Sequence, residues 1–135
     1  MSLDFEGKVA IVTGSGGGIG KGYALELAKR GAKVVVNDLG GAVDGSGGSL
    51  SAAETVVNEI EAAGGEAIAN GANVCSEDDV KNMVKETMEK WGRVDILINN
   101  AGILRDKSCA KMEWSDFVTV VNVHLLGSAL CAHTV

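Results

Sequence analysis

The hydrophobic residues of this 135-residue chain fall into four short runs, separated by longer stretches in which apolar residues recur with a helical period. The runs cover residues 9–12, 34–36, about 67–70 and 96–98, of which the third is the weakest. Short, continuous apolar runs are typical of parallel strands that are covered on both faces. Apolar residues that recur every three or four positions indicate amphipathic helices. The pattern therefore predicts strands that alternate with helices.

The first predicted helix runs from about residue 19 to residue 30 and follows a glycine-rich segment directly. Ile19, Tyr23 and Leu27 are spaced by four and share one face, so we interpret Tyr23 as a packing residue. Gly31 suits the position just after a helix, where a left-handed backbone conformation is common.

The later helices carry clear start signals. Ser51 and Ser76 each precede an acidic residue by three positions, which is the spacing of a capping box. The last predicted helix, from about residue 114 to residue 133, is apolar on nearly every side, so we expect it to be covered on several faces. The buried stripe of the helix that follows Ser76 is predicted at Val80, Met83, Val84, Thr87, Met88 and Trp91.

Alternating strands and helices predict an α/β protein with a parallel sheet and right-handed crossovers. We predict a Rossmann-type, doubly wound parallel sheet in three layers (αβα), as a single domain over residues 1–135. The expected strand order is 3-2-1-4, with a nucleotide across the carboxyl ends of strands 1 and 4, where the order reverses. The sheet is expected to be truncated after about four strands.

Composition and charge narrow the range of partners. The chain has 19 glycines, no proline and a formal charge of −6, and no basic patch points to nucleic acid. Residues 1–6 lack the basic and apolar character of a signal peptide, and we expect no segment long enough to cross a bilayer, hence no membrane partner and an intracellular location. The three cysteines are odd in number and widely spaced, which favours reduced thiols. No four-ligand set has metal-site spacing, so no metal is expected.

A glycine-rich loop connects the first strand to the first helix. It reads Thr-Gly-Ser-Gly-Gly-Gly-Ile-Gly over residues 13–20. The N-terminus of a helix offers unpaired N–H groups and a favourable dipole to a pyrophosphate, and glycine lets the backbone approach it closely. A purely structural turn is the alternative, but the strand before the loop and the helix after it are the context that the motif requires. We therefore predict a dinucleotide site.

Asp38 follows the second strand, at about the spacing of 20 residues expected after such a loop. Its carboxylate can accept hydrogen bonds from the adenosine ribose and would repel a 2′-phosphate. The nearest base is Lys21, just past the loop, and it does not supply the charge that NADP sites usually place beside the phosphate. The sequence therefore favours NAD over NADP. An ordinary acid in a turn is the alternative for Asp38.

Two motifs make the chain resemble the short-chain dehydrogenase/reductase family over its whole length. Residues 13–20 are similar to that family's glycine motif, and Asn-Asn-Ala-Gly at 99–102 is similar to its second motif. Within the family, residues 36–41 and 102–106 resemble the dehydrogenase portion of peroxisomal multifunctional enzyme type 2. That resemblance implies NAD-dependent oxidation of (3R)-3-hydroxyacyl-CoA to 3-ketoacyl-CoA, and a cytoplasmic or peroxisomal location.

The resemblance also implies which residues contact the cofactor. Asp38 would hold the adenosine ribose, and Asn73 would touch the adenine, although the wider family often has Asp at that position. For Asn99 and Asn100 a structural role, in which their amides tie strand 4 to its neighbours, stands beside cofactor binding. The full set of expected cofactor contacts is Gly14, Ser15, Gly18, Ile19, Gly20, Asp38, Leu39, Asn73, Val74, Asn100, Ala101 and Gly102.

The catalytic residues that the resemblance calls for are not found in these 135 residues. The family uses a Ser and a Tyr-(three residues)-Lys pair, in which the Tyr exchanges a proton with the substrate and the Lys lowers its pKa. The chain's one tyrosine, Tyr23, has Leu27 at the lysine position. His124 stands where most of the family carries an active-site Asn.

Three functional hypotheses follow. In the first, the chain is the NAD-binding part of a 3-hydroxyacyl-CoA dehydrogenase, and its ligands are NAD and an acyl-CoA. In this hypothesis copies of the chain also associate through residues 114–133. Alternatively, it is a truncated paralogue that binds a nucleotide or a protein without catalysis. A third hypothesis is another short-chain dehydrogenase, such as a 3-ketoacyl carrier-protein reductase. Asp38 argues against the members of that third group that use NADP.

Overall fold

A computed structural model describes residues 3–40 and 51–135. The strands are β1 (Val9–Val12), β2 (Lys33–Asn37), β3 (Ala67–Asn70) and β4 (Ile96–Ile98). They are parallel and form one sheet in the order β3-β2-β1-β4. The predicted order 3-2-1-4 is therefore confirmed.

Helices cover both faces of the sheet, which confirms the three-layer α/β architecture. The helices are α1 (Gly18–Lys29), α2 (Ser51–Ala62), α3 (Glu77–Trp91), α4 (Trp114–Val121) and α5 (Gly127–Thr134). Ala10 and Val12 of β1 pack on the α1 and α2 side, whereas Ile11 packs on the α3 and α5 side, because successive side chains of a strand point to opposite faces. A short 3-10 turn (Cys109–Lys111), which the sequence did not predict, precedes α4.

The predicted helix termini are confirmed where the structure describes them. The Ser76 side chain accepts a hydrogen bond from Asp79 N at 3.3 Å and caps α3. Gly31, just after α1, has a φ of +98°, a conformation that residues other than glycine rarely adopt. The capping pair predicted for α2 depends on the side chain of Ser51, and that side chain is outside the described part of the structure.

The buried face of α1 differs from the prediction. Leu27 is buried, but Ile19 and Tyr23 are 72% and 46% exposed, so Tyr23 is not a core residue. The face that meets the sheet carries small residues instead, with Gly20 and Ala24 both buried. Small side chains let the helix approach the strands closely, and this turns the larger side chains outward.

The predicted stripe of α3 is confirmed in part. Val80, Met83 and Thr87 are buried, but Met88 is 46% exposed. Thr87 lies one turn after Met83 and takes the buried position, with its hydroxyl donating to Met83 O at 2.8 Å. Met88, the next residue along the helix, is rotated by about 100° from it and reaches solvent.

The last helical segment has the predicted bounds but is less regular than predicted. A π turn (Asn122–Leu126) joins α4 to α5, so that Trp114–Thr134 is helical over 21 residues. By length and composition this stretch could cross a membrane, which corrects the expectation that no segment is long enough. Polar Asn122 and His124 interrupt the apolar run in the sequence, but residues 117–134 contain no Asp, Glu, Lys or Arg. One such helix is weak support for a membrane span, because core helices of soluble proteins have the same properties.

Asp95 ties the start of β4 to the start of β1. Its carboxylate accepts a hydrogen bond from Val9 N at 2.9 Å and two from Arg93, at 2.8 and 2.7 Å. The hydrogen bond from Arg93, followed by that from Val9, lowers the pKa of Asp95 from 3.8 to about 2. A pKa lowered by folding means that the stabilisation is complete above the unfolded-state pKa and is lost as the pH falls through the folded-state pKa.

We expect Asp95→Asn to lower the stability at neutral pH, with a difference from the parent protein that shrinks between about pH 4 and pH 2. Urea unfolding at a series of pH values measures this. Asp78→Asn, an exposed acid at the start of α3, is the control and should not change the pH dependence in the same way. A difference between parent and D95N that stays constant down to pH 2 would contradict this account of Asp95.

Candidate nucleotide-binding site

The glycine loop runs from the carboxyl end of β1 into α1 and presents backbone rather than side chains. Gly14 and Gly18 have φ values of +64° and +57°, a backbone conformation that favours glycine. Gly17 is the N-cap of α1, and no side chain caps this helix end. A β-carbon added at Gly17 or Gly18 would meet nothing within 4 Å in the described parts of the chain. The first N–H groups of α1 are therefore accessible to an anionic ligand.

The loop packs directly against the segment that follows β4. The Asn100 side chain donates to Gly14 O at 3.0 Å. A β-carbon at Gly14 would lie 2.8 Å from Ala101 Cα, and one at Gly20 would collide with the Asn100 amide. The two motifs recognised in the sequence thus form one structural unit at the carboxyl edge of the sheet.

Thr13 joins the two motifs and was not predicted as a site residue. Its buried hydroxyl accepts hydrogen bonds from Asn100 N at 3.1 Å and Ala101 N at 3.0 Å. The Thr13 N–H donates to Ile98 O at 3.0 Å. A polar residue directly after a fully apolar strand was the signal available in the sequence.

Asn37 has a similar role at the end of β2. It is buried, and its amide donates to Asn70 Oδ1 at 3.1 Å and to Ala72 O at 3.0 Å. These bonds fix the ends of β2 and β3 to each other and so fix the position of Asp38, the next residue.

Asp38 faces the glycine loop. Its Oδ2 accepts from Gly16 N at 2.9 Å and its Oδ1 accepts from Gly40 N at 2.8 Å. An ionised carboxylate has about four lone-pair sites, so each oxygen keeps capacity for a further donor. Lys21, the base closest to the loop in sequence, pairs with Glu59 of α2 at 2.7 Å. The arrangement places an anchored negative charge beside the loop, and the lysine nearest to the loop in sequence is paired with Glu59.

Comparison with known proteins agrees with this geometry. The family model for short chain dehydrogenases matches residues 8–135. The chain belongs to the short-chain dehydrogenase family. This confirms the resemblance seen in the glycine loop and in residues 99–102, and members of this family use NAD or NADP.

The known proteins to which this chain is similar are much longer than the chain. It is 59% identical over 128 residues to peroxisomal multifunctional enzyme A of Dictyostelium discoideum, covering 95% of this chain and 28% of the relative. It is 52% identical over 129 residues to peroxisomal multifunctional enzyme type 2 of Drosophila melanogaster, covering 96% and 21%. The crystal structure of a short chain dehydrogenase from Mycobacterium avium superposes with a TM-score of 0.86 at 48% identity, covering 96% of this chain and 46% of that one. The chain thus spans less than half of each of these proteins.

The described residues fit the dinucleotide that this family uses. The uncapped start of α1 can receive a pyrophosphate, and Asp38 can accept from ribose hydroxyls. Ile19, predicted as a cofactor contact, is exposed on the first turn of α1, and Leu39 is half exposed next to Asp38.

Ser15 is turned into the protein, although it was predicted to contact the cofactor. Its hydroxyl donates to Val12 O at 2.7 Å, its N–H donates to Asn37 O at 2.8 Å, and the residue is fully buried. Its donors therefore hold the loop in place.

Asn73 and Val74 also make internal contacts after β3. Asn73 Oδ1 accepts from Cys75 N at 2.9 Å, and Asn73 N donates to Asp79 at 3.0 Å. Val74 is buried against Gly127, where an added β-carbon would lie 2.9 Å from its methyl group. Only the partly exposed Asn73 keeps a surface position beside the predicted adenine site.

The structural roles considered for the two asparagines after β4 are confirmed. Asn99 donates to Ser128 O at 3.2 Å, which ties β4 to α5, and Asn100 donates to Gly14 O. His124, in the π turn, lies against Gly102, and its Nε2 is 3.0 Å from Ile103 N.

No group of three or more potential metal ligands occurs within residues 3–40 and 51–135. The three cysteines are free thiols. Cys131 is buried in the α3–α5 layer, and this burial raises the pKa of its thiol.

Proposed function

We propose that this chain is the NAD-binding part of an oxidoreductase that oxidises 3-hydroxyacyl-CoA to 3-ketoacyl-CoA. The observation that carries the cofactor assignment is the Asp38 carboxylate, which is fixed by Gly16 N and has acceptor capacity left. The acyl-CoA substrate is supported by the similarity to peroxisomal multifunctional enzymes and by the sequence of residues 102–106.

Each part of the site would hold one part of the cofactor. The N–H groups at the start of α1 would bind the pyrophosphate, with Gly18, Ile19 and Gly20 forming that turn. Asp38 would accept from the adenosine ribose. The remaining proposed contacts are Leu39, Asn73 and Val74 near the adenine, the backbone of Gly14, and Asn100, Ala101 and Gly102 towards the nicotinamide. Ser15, whose hydroxyl and N–H are both bonded inside the protein, would hold the loop in place.

The bound NAD would accept a hydride from the carbon that carries the alcohol, while the hydroxyl proton passes to a base. The family's Tyr and Lys for that proton transfer are not found in these 135 residues. We therefore propose that catalysis belongs to a longer protein of which this chain contributes the cofactor half. In this proposal His124, which contacts the backbone of Ile103, is not the base that accepts the hydroxyl proton.

The decisive experiment measures NADH formation from (3R)-3-hydroxyacyl-CoA and NAD. We expect turnover by the full gene product and none by the 135 residues alone. Turnover by the isolated 135 residues would contradict the assignment of the base to the rest of the protein. Preference of the full product for NADPH and a carrier-protein-linked substrate would instead indicate the reductase. Nucleotide binding without any turnover by the full product would indicate a non-catalytic relative.

We further propose that copies of the chain associate through Trp114–Thr134. Trp114 is 73% and Leu125 63% exposed, and the rings of Trp114 and Phe117 stack with centroids 5.1 Å apart. An exposed apolar patch of this kind marks an interaction surface. Sedimentation of the protein tests this, and a monomer at micromolar concentration would contradict it.

We also propose an intracellular location, cytoplasmic or peroxisomal.

A further inference from the structure

A single nitrogen of His124 faces two backbone groups of one residue. Nε2 lies 3.0 Å from Ile103 N and 2.9 Å from Ile103 O, which are a donor and an acceptor. The imidazole also packs on Gly102, where an added β-carbon would lie 2.6 Å from His124 Cε1. The π turn of Asn122–Leu126 brings the ring to this place, and such turns often occur at functional sites.

One ring nitrogen cannot serve both groups at once. When the proton of a neutral ring is on Nδ1, Nε2 accepts from the Ile103 N–H. When Nε2 carries a proton, it donates to Ile103 O, and the Ile103 N–H loses its acceptor. Protonating the first form therefore reverses the direction of the hydrogen bond. Histidine is the side chain that undergoes this change between pH 5 and 8.

We propose that His124 is a positioning residue whose protonation reverses its hydrogen bond to Ile103 and lowers the affinity for the oxidised cofactor relative to the reduced one. The proposal rests on the proposed function, in which Gly102 lines the nicotinamide side of the site. The nicotinamide ring is positively charged when oxidised and neutral when reduced. An imidazolium held on this loop therefore opposes the oxidised form selectively.

Few other groups around His124 change charge in this pH range. Arg105 Nε lies 3.5 Å from Asp116 Oδ1, so these two charges compensate each other. His133, on α5, is the other histidine of the chain and provides the matched control. The charged or titratable groups on the elements that pack around His124 are Arg105, Asp106, Lys107, Asp116, Cys131 and His133.

The first test needs no cofactor. We expect the backbone amide resonance of Ile103 to shift as the pH is lowered in the parent protein and in His133→Asn, because protonation of His124 removes the acceptor of the Ile103 N–H. In His124→Asn it should stay constant, because an amide side chain can accept from the Ile103 N–H and donate to Ile103 O at every pH. A constant Ile103 resonance in the parent, or the same titration in H124N, would overturn the proposal.

The second test compares the two redox forms of the cofactor. From pH 8 to pH 5.5, we expect the ratio of the dissociation constants of NAD and NADH to rise about fivefold, as for a screened charge pair. The rise should occur in the parent and in H133N but not in H124N. A constant ratio together with a titrating amide would overturn the cofactor half of the proposal. If neither nucleotide binds at any pH while the amide titrates, the proposed function fails and the hydrogen-bond reversal stands.

Discussion

Replacing Asp38 with asparagine is expected to weaken NADH binding by roughly 10- to 100-fold, as expected for the loss of one charge-assisted hydrogen bond to the ribose. NADPH binding should stay constant or improve, because the charge that repels a 2′-phosphate is removed. The preference of the protein for NADH over NADPH should therefore decrease. Fluorescence titration of each reduced nucleotide measures both affinities on the same protein.

The control for this prediction must separate ligand binding from loop structure, because Asp38 also accepts from Gly16 N and Gly40 N. Asparagine keeps one acceptor oxygen and so can accept from only one of these two N–H groups. Unfolding of D38N is therefore expected at a moderately lower urea concentration than that of the parent, without loss of the fold. Asp78→Asn makes the same chemical change on the exposed face of α3 and should alter neither affinity. An equal loss of NADH and NADPH binding in D38N would mean that Asp38 only shapes the loop, which would contradict its role in selectivity.

The strands were predictable because their signal is local. β3 and β4 begin and end where the apolar runs do, and the strand order follows from general rules for parallel sheets. The glycine loop and Asp38 were equally accessible, since backbone freedom and charge at a fixed spacing are properties of residue type. What these elements share is that residue type and spacing along the chain identify each of them, without knowledge of which distant residues it contacts.

Long-range contacts were not predictable in the same way. The hydroxyl of Thr13 bonds to residues 100 and 101, and the amide of Asn37 bonds to residues 70 and 72, so no local pattern contains either partner. The prediction of the face of α1 that packs on the sheet was wrong. The helical period shows which residues share a face, but it does not show how closely the helix approaches the sheet. Ser15 shows the same limit within a motif, since a motif identifies a loop but not which of its atoms face the ligand.

The close approach at Gly20 leads to the prediction with the largest expected effect on stability. A β-carbon at Gly20 would collide with the Asn100 amide and lie 2.5 Å from Gly14 O. Because Gly14 O is backbone, the loop or the segment after β4 must move. Gly20→Ala should therefore destabilise the protein by about 1–3 kcal/mol, the usual cost of overpacking. It should also reduce NADH binding below detection, because the displaced segments are the two halves of the proposed site.

Gly22, on the same helix, provides a control substitution that is expected to change the stability in the opposite direction. A β-carbon at Gly22 would meet nothing within 4 Å in the described structure, and Gly22 has an ordinary helical φ. Gly22→Ala should therefore stabilise the protein by about 0.4–1 kcal/mol, since alanine restricts the unfolded chain and favours the helix. Urea unfolding and NADH titration of both variants decide the matter. If G20A and G22A shift stability in the same direction, helix propensity rather than contact with Asn100 explains the glycine at position 20. If G20A is destabilised but binds NADH as tightly as the parent, the contact between loop and Asn100 is structural and the cofactor lies elsewhere.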